Sequence, residues 1–117
     1  MTKHIPNSLC ISGTIYKVKY KNIPEVNEEE VQGYCDTKDK LIIISKQLTV
    51  QEQIHVFFHE IFHCVLHEVG LSAVLNGEIE EVIVDNCGKA VLNYLQKMYG
   101  NKICKKKLVQ SAKNKKT

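Results

Sequence analysis

The chain has 117 residues, of which 44% are hydrophobic, and its 16 basic and 13 acidic residues give a net charge of +3. This length fits one domain, and this composition can form a hydrophobic core without a stabilising disulfide framework. The sequence argues against a membrane span, because no run approaches roughly 20 apolar residues. Residues 1–6 lack the apolar stretch of a secretory signal, so we expect a cytoplasmic protein with no membrane partner.

The charge is divided unevenly along the chain. Residues 102–117 contain seven lysines and no acid, whereas residues 1–101 contain nine lysines and all 13 acids, a balance of −4. We therefore predict a single domain over 1–101 and a flexible, lysine-rich tail over 102–117. Such a tail can bind nucleic acid or another acidic partner electrostatically. The tail contains no aromatic residue to stack on bases, and the alternative is a solubilising end.

The first predicted elements are strands. Within residues 9–21, Ile15, Lys17 and Lys19 alternate with Tyr16, Val18 and Tyr20, which is the periodicity of a strand. Ser12-Gly13 can form a turn or bulge before this strand.

A second pair of strands is predicted further along the chain. The acidic, proline-containing residues 22–32 predict a loop or a short helical turn. Residues 33–45 then predict a hairpin, with a polar turn over 36–40 and a buried strand over 41–44.

The second half of the chain predicts two helices. Thr49 and Glu52 have the spacing of a capping box at the start of the first helix, and Gly70 suits a left-handed cap at its end. The second helix is predicted from Asn76 to about Tyr99, and the short connection predicts that the two are antiparallel neighbours. The predicted inward faces are Ile54, Phe58, Ile61, Val65 and Val69 in the first helix, and Ile83, Cys87, Val91, Tyr94 and Met98 in the second.

These elements predict an α+β fold, in which a small N-terminal antiparallel sheet packs against the first helix and a second long helix. The five cysteines are scattered and contain no CxxC pair, which argues against a disulfide framework or a zinc ribbon. We expect Cys64 and Cys87 to be buried free thiols.

The sequence HEIFH at residues 59–63 is the strongest functional signal. His59 and His63 are four residues apart, so on a helix both can bind one Zn²⁺. Glu60 is rotated by about 100° from His59 and can act as a general base on water activated by the metal. The alternative is a helix surface that carries two histidines without a metal.

A third metal ligand must come from outside this motif. Residues 78–85 offer Glu78, Glu80, Glu81 and Asp85. Glu81 could be the ligand, while Asp85, one turn later, could hold the far nitrogen of a zinc histidine. Helical angles leave Glu80 as an alternative ligand, and the acids could also be an ordinary negative first turn of a helix.

A family resemblance follows from these residues. HEIFH, followed 18 residues after His63 by Glu81-x-x-Val84-Asp85-x-Cys87-Gly88, resembles the small HExxH zincins of the gluzincin type. The chain is most similar to ImmA/IrrE-type metallopeptidases and their compact phage- or prophage-encoded relatives, over residues 9–98. The resemblance implies a minimal zincin fold in which His59, His63 and Glu81 bind zinc, Glu60 is the general base and Asp85 supports a ligand. The chain departs from the family at Cys87 and Gly88, where an aromatic residue and alanine are usual.

Two functional hypotheses follow. The first is a zinc metalloendopeptidase that cuts a protein substrate, such as a phage or mobile-element regulator, in the host cytoplasm. Because so short a chain offers little surface to select a substrate, it could need a regulatory partner protein. The second is a non-catalytic, zinc-stabilised module whose basic tail binds an acidic partner or nucleic acid. Glu60 favours the first, because a structural site has no use for a base. His55 and His67 could line the cleft or be ordinary, partly exposed histidines.

Overall fold

The computed structural model describes residues 5–23 and 31–99 of the chain. Within these residues the elements are β1 (Ser8–Ile11), β2 (Thr14–Lys21), β3 (Gly33–Asp36), β4 (Leu41–Ser45), α1 (Val50–Glu68), a 3-10 helix (Leu71–Ala73) and α2 (Gly77–Tyr99). The predicted tail over 102–117 lies outside the described residues, as does much of the loop predicted over 22–32. Neither described helix has the combined length and apolarity that crossing a bilayer requires.

The predicted α+β class is confirmed, but the sheet is mixed rather than wholly antiparallel. Its strand order is β1-β2-β4-β3. The β1–β2 and β3–β4 pairs are antiparallel, whereas β2 and β4 are parallel. β2 and β4 contain most of the buried residues of the inner face, so pairing them places these residues at the centre of the sheet. The short strand β3 is left at an edge.

Both predicted turns are confirmed. Ser12 and Gly13 have φ angles of 48° and 85°, so a two-residue left-handed turn joins β1 to β2. In the second hairpin, an Asp36 Oδ1 atom accepts the backbone N–H groups of Lys38 at 3.1 Å and Asp39 at 3.0 Å. These bonds hold the turn that reverses the chain between β3 and β4.

The hydrophobic core lies between the sheet and α1. The alternation predicted in β2 is confirmed, since Tyr16 and Val18 are buried while the lysines between them are exposed. The inward residues of the sheet pack against buried residues of α1 and against Leu92 of α2. The core includes Tyr16, Val18, Ile42, Ile44, Ile54, Phe57, Cys64 and Leu92.

The ends of α1 match the prediction, but its buried face is rotated. The capping box is present: the Thr49 hydroxyl accepts the Glu52 N–H at 3.2 Å, and a Glu52 carboxylate oxygen accepts the Thr49 N–H at 2.9 Å. Gly70 follows the helix with a φ of 82°.

The predicted apolar face of α1 is partly wrong. Ile54 is buried and Phe58, Ile61 and Val65 are half-buried, but Val69 is 53% exposed. The most buried side of α1 instead contains Phe57, Glu60 and Cys64. Because α1 contacts both the sheet and α2, a single apolar stripe does not define its buried surface.

The predicted inward face of α2 is partly wrong: Ile83, Cys87 and Val91 are half-buried, but the buried stripe lies one position further along the chain. The buried residues are Val84, Gly88 and Leu92, whereas Tyr94 and Met98 are 60% and 57% exposed. A methyl group at Gly88 would lie in ordinary van der Waals contact, at 3.5 Å, with backbone atoms of His59, so α2 packs directly against α1 at this position. This rotation turns the acids at the start of α2 towards α1.

The expected free thiol at Cys64 is also wrong. Cys35 of β3 and Cys64 of α1 form a disulfide across 29 residues of sequence. Cys87 is a free thiol, as predicted, but it is half-buried rather than buried. The disulfide ties the edge strand to α1, and this contact depends on packing that the spacing of the cysteines does not indicate.

Glu68 fixes the C-terminal end of α1 to the sheet. Its carboxylate accepts hydrogen bonds from the Tyr16 hydroxyl at 2.6 Å, the Thr14 hydroxyl at 2.9 Å and the Lys40 ammonium at 3.0 Å. These bonds, with that from Tyr16 contributing most, lower the pKa of Glu68 from 4.5 to about 2.

We expect the stabilising effect of the hydrogen bonds between Glu68 and the sheet to be lost in acid. Because the pKa of Glu68 is lower in the folded protein than in the unfolded chain, its stabilisation is complete above pH 4.5 and disappears as the pH falls towards 2. Glu68→Gln should remove this part of the pH dependence. Urea denaturation of the wild type and the variant at a series of pH values would measure it, with the exposed Glu78→Gln as control. Equal pH dependence in the wild type and Glu68→Gln would contradict the prediction.

Candidate metal centre

His59 and His63 lie one turn apart on the side of α1 that faces α2. Their ring centroids are 5.0 Å apart, and their side chains are 28% and 17% exposed. Together with Glu60 they offer ligand atoms that all lie within 4.8 Å of one another. The predicted group therefore has the spacing of an HExxH-type site and could hold a metal ion.

Glu81 lies opposite both histidines. Its Oε1 atom is 3.0 Å from Nε2 of His63, and its Oε2 atom is 3.3 Å from Nε2 of His59. Two ligand atoms that are each 2.0–2.1 Å from a tetrahedral ion lie about 3.3 Å apart. The structure thus places the Glu81 carboxylate within 3.3 Å of the Nε2 atoms of both histidines.

The other ring nitrogens of the two histidines also face carboxylates. A Glu80 carboxylate oxygen is 2.6 Å from Nδ1 of His63, which is a short hydrogen bond. A carboxylate oxygen of Asp85 is 3.9 Å from Nδ1 of His59, beyond hydrogen-bond distance, and Asp85 also pairs with Lys89 at 3.0 Å. Asp85 is therefore beside a histidine, as predicted, but it is not hydrogen-bonded to it.

The sequence does not indicate the contact of Glu80 with Nδ1 of His63, because it presents Glu80 only as an alternative ligand or as an acid of a helix first turn. Glu80 and Glu81 are adjacent in sequence, and this spacing is the feature that could have indicated the contact. Two acids about 100° apart on a helix can reach opposite sides of one imidazole ring. This signal can be used only when the rotation of α2 is known.

Glu60 is the buried acid of the site. It is 7% exposed, and this burial raises its pKa from 4.5 to about 7. The nearby His63 opposes this shift in pKa, and the Glu81 carboxylate adds to it. A carboxyl group with a pKa near neutrality can both accept and donate a proton at physiological pH.

Two cavities meet at the histidines. The first, of about 370 Å³, and the second, of about 470 Å³, are both lined by Gly33, His59 and Glu60. The first extends past His55 and Lys89, whereas the second extends past residues that include Tyr34, His67 and Ser72. The lining residues come from β3, α1 and α2, so the cavities form a cleft along the candidate site. His55 and His67 line opposite halves of it.

Gly33 sets the distance between the edge strand and α1. A Cβ atom at this position would overlap Cγ1 of Val56 and lie 2.7 Å from the carbonyl oxygen of Ile43. Only glycine therefore allows β3 to lie this close to α1 beside the histidines. The same absence of a side chain keeps the middle of the cleft open.

The site concentrates negative charge near two imidazoles. Glu80 and Glu81 pair with His63, while Glu81 and Asp85 lie near His59. Carboxylates arranged around imidazoles attract a cation, and imidazole with carboxylate is a donor set that divalent transition metals accept. Chemically, the arrangement can bind such an ion and place a buried acid beside it.

Comparison of the chain with family models, curated proteins and solved structures found no match. The likeness to ImmA/IrrE-type metallopeptidases thus remains a prediction from residues 59–63 and 81–88. The structure supports a metal-binding group but not a particular family. His59, Glu60 and His63 are spaced like an HExxH-type site and could bind a metal.

Proposed function

We propose that this protein is a zinc-dependent peptidase that hydrolyses peptide bonds of a protein substrate. The observation that carries this proposal is the position of the Glu81 carboxylate, with one oxygen 3.0 Å and the other 3.3 Å from the Nε2 atoms of the two histidines. His59, His63 and Glu81 would hold the ion. Two imidazoles and one carboxylate are a set of ligands typical of catalytic zinc sites. Such sites have three protein ligands, so a fourth position stays open for water or substrate.

The role of Glu60 follows from its burial beside these ligands. When bound, zinc supplies Lewis acidity towards water and the scissile carbonyl group. Glu60 accepts the proton of the attacking water and passes it to the leaving amine nitrogen. A bound cation would also hold the pKa of Glu60 below the value of about 7 that burial produces, since an adjacent positive charge favours the carboxylate.

The cleft suits an extended peptide substrate. It continues on both sides of the histidines, as cavities of about 370 Å³ and 470 Å³, so side chains on both sides of a scissile bond can enter it. One wall is β3, an edge strand of the described sheet, and an extended segment can add to such an edge through backbone hydrogen bonds. These features favour internal cleavage of a protein, as in a phage or mobile-element regulatory protease.

The second candidate is a zinc-stabilised module without catalysis, which binds an acidic partner through its lysine-rich residues 102–117. Burial of Glu60 favours the peptidase over this module. A carboxylate that is 7% exposed costs free energy to bury, and unless it is itself a ligand it contributes nothing to a purely structural ion.

Cleavage of a diverse peptide library, followed by mass spectrometry of the products, tests the proposal. We expect cleavage by the purified protein, its loss on treatment with a chelator, and its recovery when zinc is added back. Stoichiometric zinc with no cleavage of any peptide or candidate protein substrate would favour the structural module. Cleavage that is unaffected by the chelator would contradict a metal mechanism.

A further inference from the structure

Glu80 makes the shortest polar contact of the candidate site. Its carboxylate oxygen lies 2.6 Å from Nδ1 of His63, and each of these two side chains is only 17% exposed. Across the same ring, Nε2 faces Glu81 at 3.0 Å. A hydrogen bond from Nδ1–H to a carboxylate fixes the tautomer in which Nε2 has a free lone pair, and it also fixes the plane of the ring.

Glu80 is itself held in place by other elements. Ser72, in the 3-10 helix, and His67, of α1, line the same cavity as Glu80. Glu80 therefore links α2 to α1 through its contact with His63, and it lies beside the 3-10 helix.

The two histidines differ in whether a carboxylate is hydrogen-bonded to their Nδ1 atom. The carboxylate nearest to Nδ1 of His59 belongs to Asp85, at 3.9 Å, and it also pairs with Lys89 at 3.0 Å. No hydrogen bond therefore fixes the ring of His59 from that side among the described residues. Among the described residues, a carboxylate therefore fixes the Nδ1 side of His63 before an ion binds but does not fix that side of His59.

We propose that Glu80 is a positioning residue of the metal centre and not a ligand. It holds His63 with Nδ1 protonated and Nε2 turned towards the ion, while Glu81 supplies the third ligand. This inference rests on the proposed zinc site, and it makes His63 the preorganised histidine of the pair. Removing the charge of Glu80 should therefore weaken metal binding more than the equivalent change at Asp85.

Zinc affinity of amide variants tests this role without any measurement of activity. Glu80→Gln keeps the shape of the side chain but removes its charge, and we expect its zinc affinity to be about 10–100-fold lower than that of the wild type. Asp85→Asn should show a smaller loss, and the exposed Glu78→Gln should bind zinc as the wild type does. Competition with a chromophoric chelator gives the affinities, and circular dichroism checks that each variant is folded.

Nitrogen NMR of the histidine rings gives a second measurement that needs no variant. In the wild-type protein loaded with zinc, the ring of His63 should carry its proton on Nδ1. A proton on Nε2 of His63 would overturn the proposal, whether or not Glu80→Gln folds.

The affinities separate failure of this inference from failure of the proposed function. Wild-type protein that binds no zinc would refute the metal site itself. If the wild type binds zinc, unchanged affinity in Glu80→Gln would overturn only the role of Glu80. Complete loss of binding in Glu80→Gln, with binding retained in Glu81→Gln, would make Glu80 the ligand and would likewise overturn the positioning role.

Discussion

Glu60→Gln is expected to keep its zinc and to lose about 10²–10⁴-fold in the rate of peptide cleavage, the range that general acid–base catalysis contributes. Glutamine has the same shape as glutamate but cannot accept the proton of the attacking water. The Glu60 side chain is 7% exposed, and its pKa of about 7 reflects the cost of a buried charge. The neutral amide avoids this cost, so the variant should be at least as stable as the wild type.

Zinc content must be measured together with the cleavage rate. Glu60 belongs to the group whose ligand atoms lie within 4.8 Å of one another, so it could in principle bind the ion itself. Retained zinc with lost cleavage identifies a base, whereas loss of both would identify a ligand. Full activity in Glu60→Gln would remove the proposed base. The exposed Glu78→Gln, on α2, is the matched control and should match the wild type in both measurements.

Sites with four protein ligands bind zinc with about 10–16 kcal/mol in total, which is about 2.5–4 kcal/mol for each ligand. His63→Ala removes one ligand and should therefore lower zinc affinity by about 10²–10³-fold. The substitution also removes the ring that lies between Glu80 and Glu81. In the wild type, Nδ1 of His63 is 2.6 Å from a Glu80 oxygen, and Nε2 is 3.0 Å from a Glu81 oxygen. These two carboxylates then lose the ring that both of them contact. We therefore expect the zinc-free variant to be less stable than the zinc-free wild type.

Thermal denaturation with and without added zinc checks this expectation. A ligand that binds only the folded state raises the melting temperature, so zinc should stabilise the wild type but not His63→Ala. His55→Ala is the control on the same helix. His55 lines the first cavity and contacts Gln51 at 3.3 Å, so zinc should still stabilise that variant. Equal stabilisation of His63→Ala and the wild type would rule out His63 as a ligand.

Features that depend on neighbouring residues could be predicted from the sequence. The capping box at Thr49, the turn at Ser12-Gly13 and the hairpin around residues 36–40 are each encoded within a few positions. The i,i+4 spacing of His59 and His63 is local in the same sense, since any helix places such residues together.

Features that depend on distant packing could not be predicted in the same way. The parallel pairing of β2 with β4 joins two strands that the sequence presents in separate segments, residues 9–21 and 33–45. The disulfide between Cys35 and Cys64 likewise depends on how closely β3 approaches α1. Neither cysteine has a local pattern that indicates the other.

The acids of α2 show where the prediction of the site reached its limit. Helical angles place Glu80, Glu81 and Asp85 on the helix, but they do not give the rotation of α2 against α1. That rotation is set by the buried residues Val84, Gly88 and Leu92, and apolar periodicity alone indicated a different face. Once the rotation is fixed, Glu81 meets both Nε2 atoms and Glu80 meets Nδ1 of His63.

X-ray absorption at the zinc edge of the purified protein tests the central claim most directly. The claim is that two imidazoles of α1 and one carboxylate of α2 bind a single zinc ion. We expect one zinc per chain, with only nitrogen and oxygen donors at about 2.0–2.2 Å and the signature of two imidazole rings. Protein that binds no zinc, or a sulfur donor at about 2.3 Å from the ion, would contradict it.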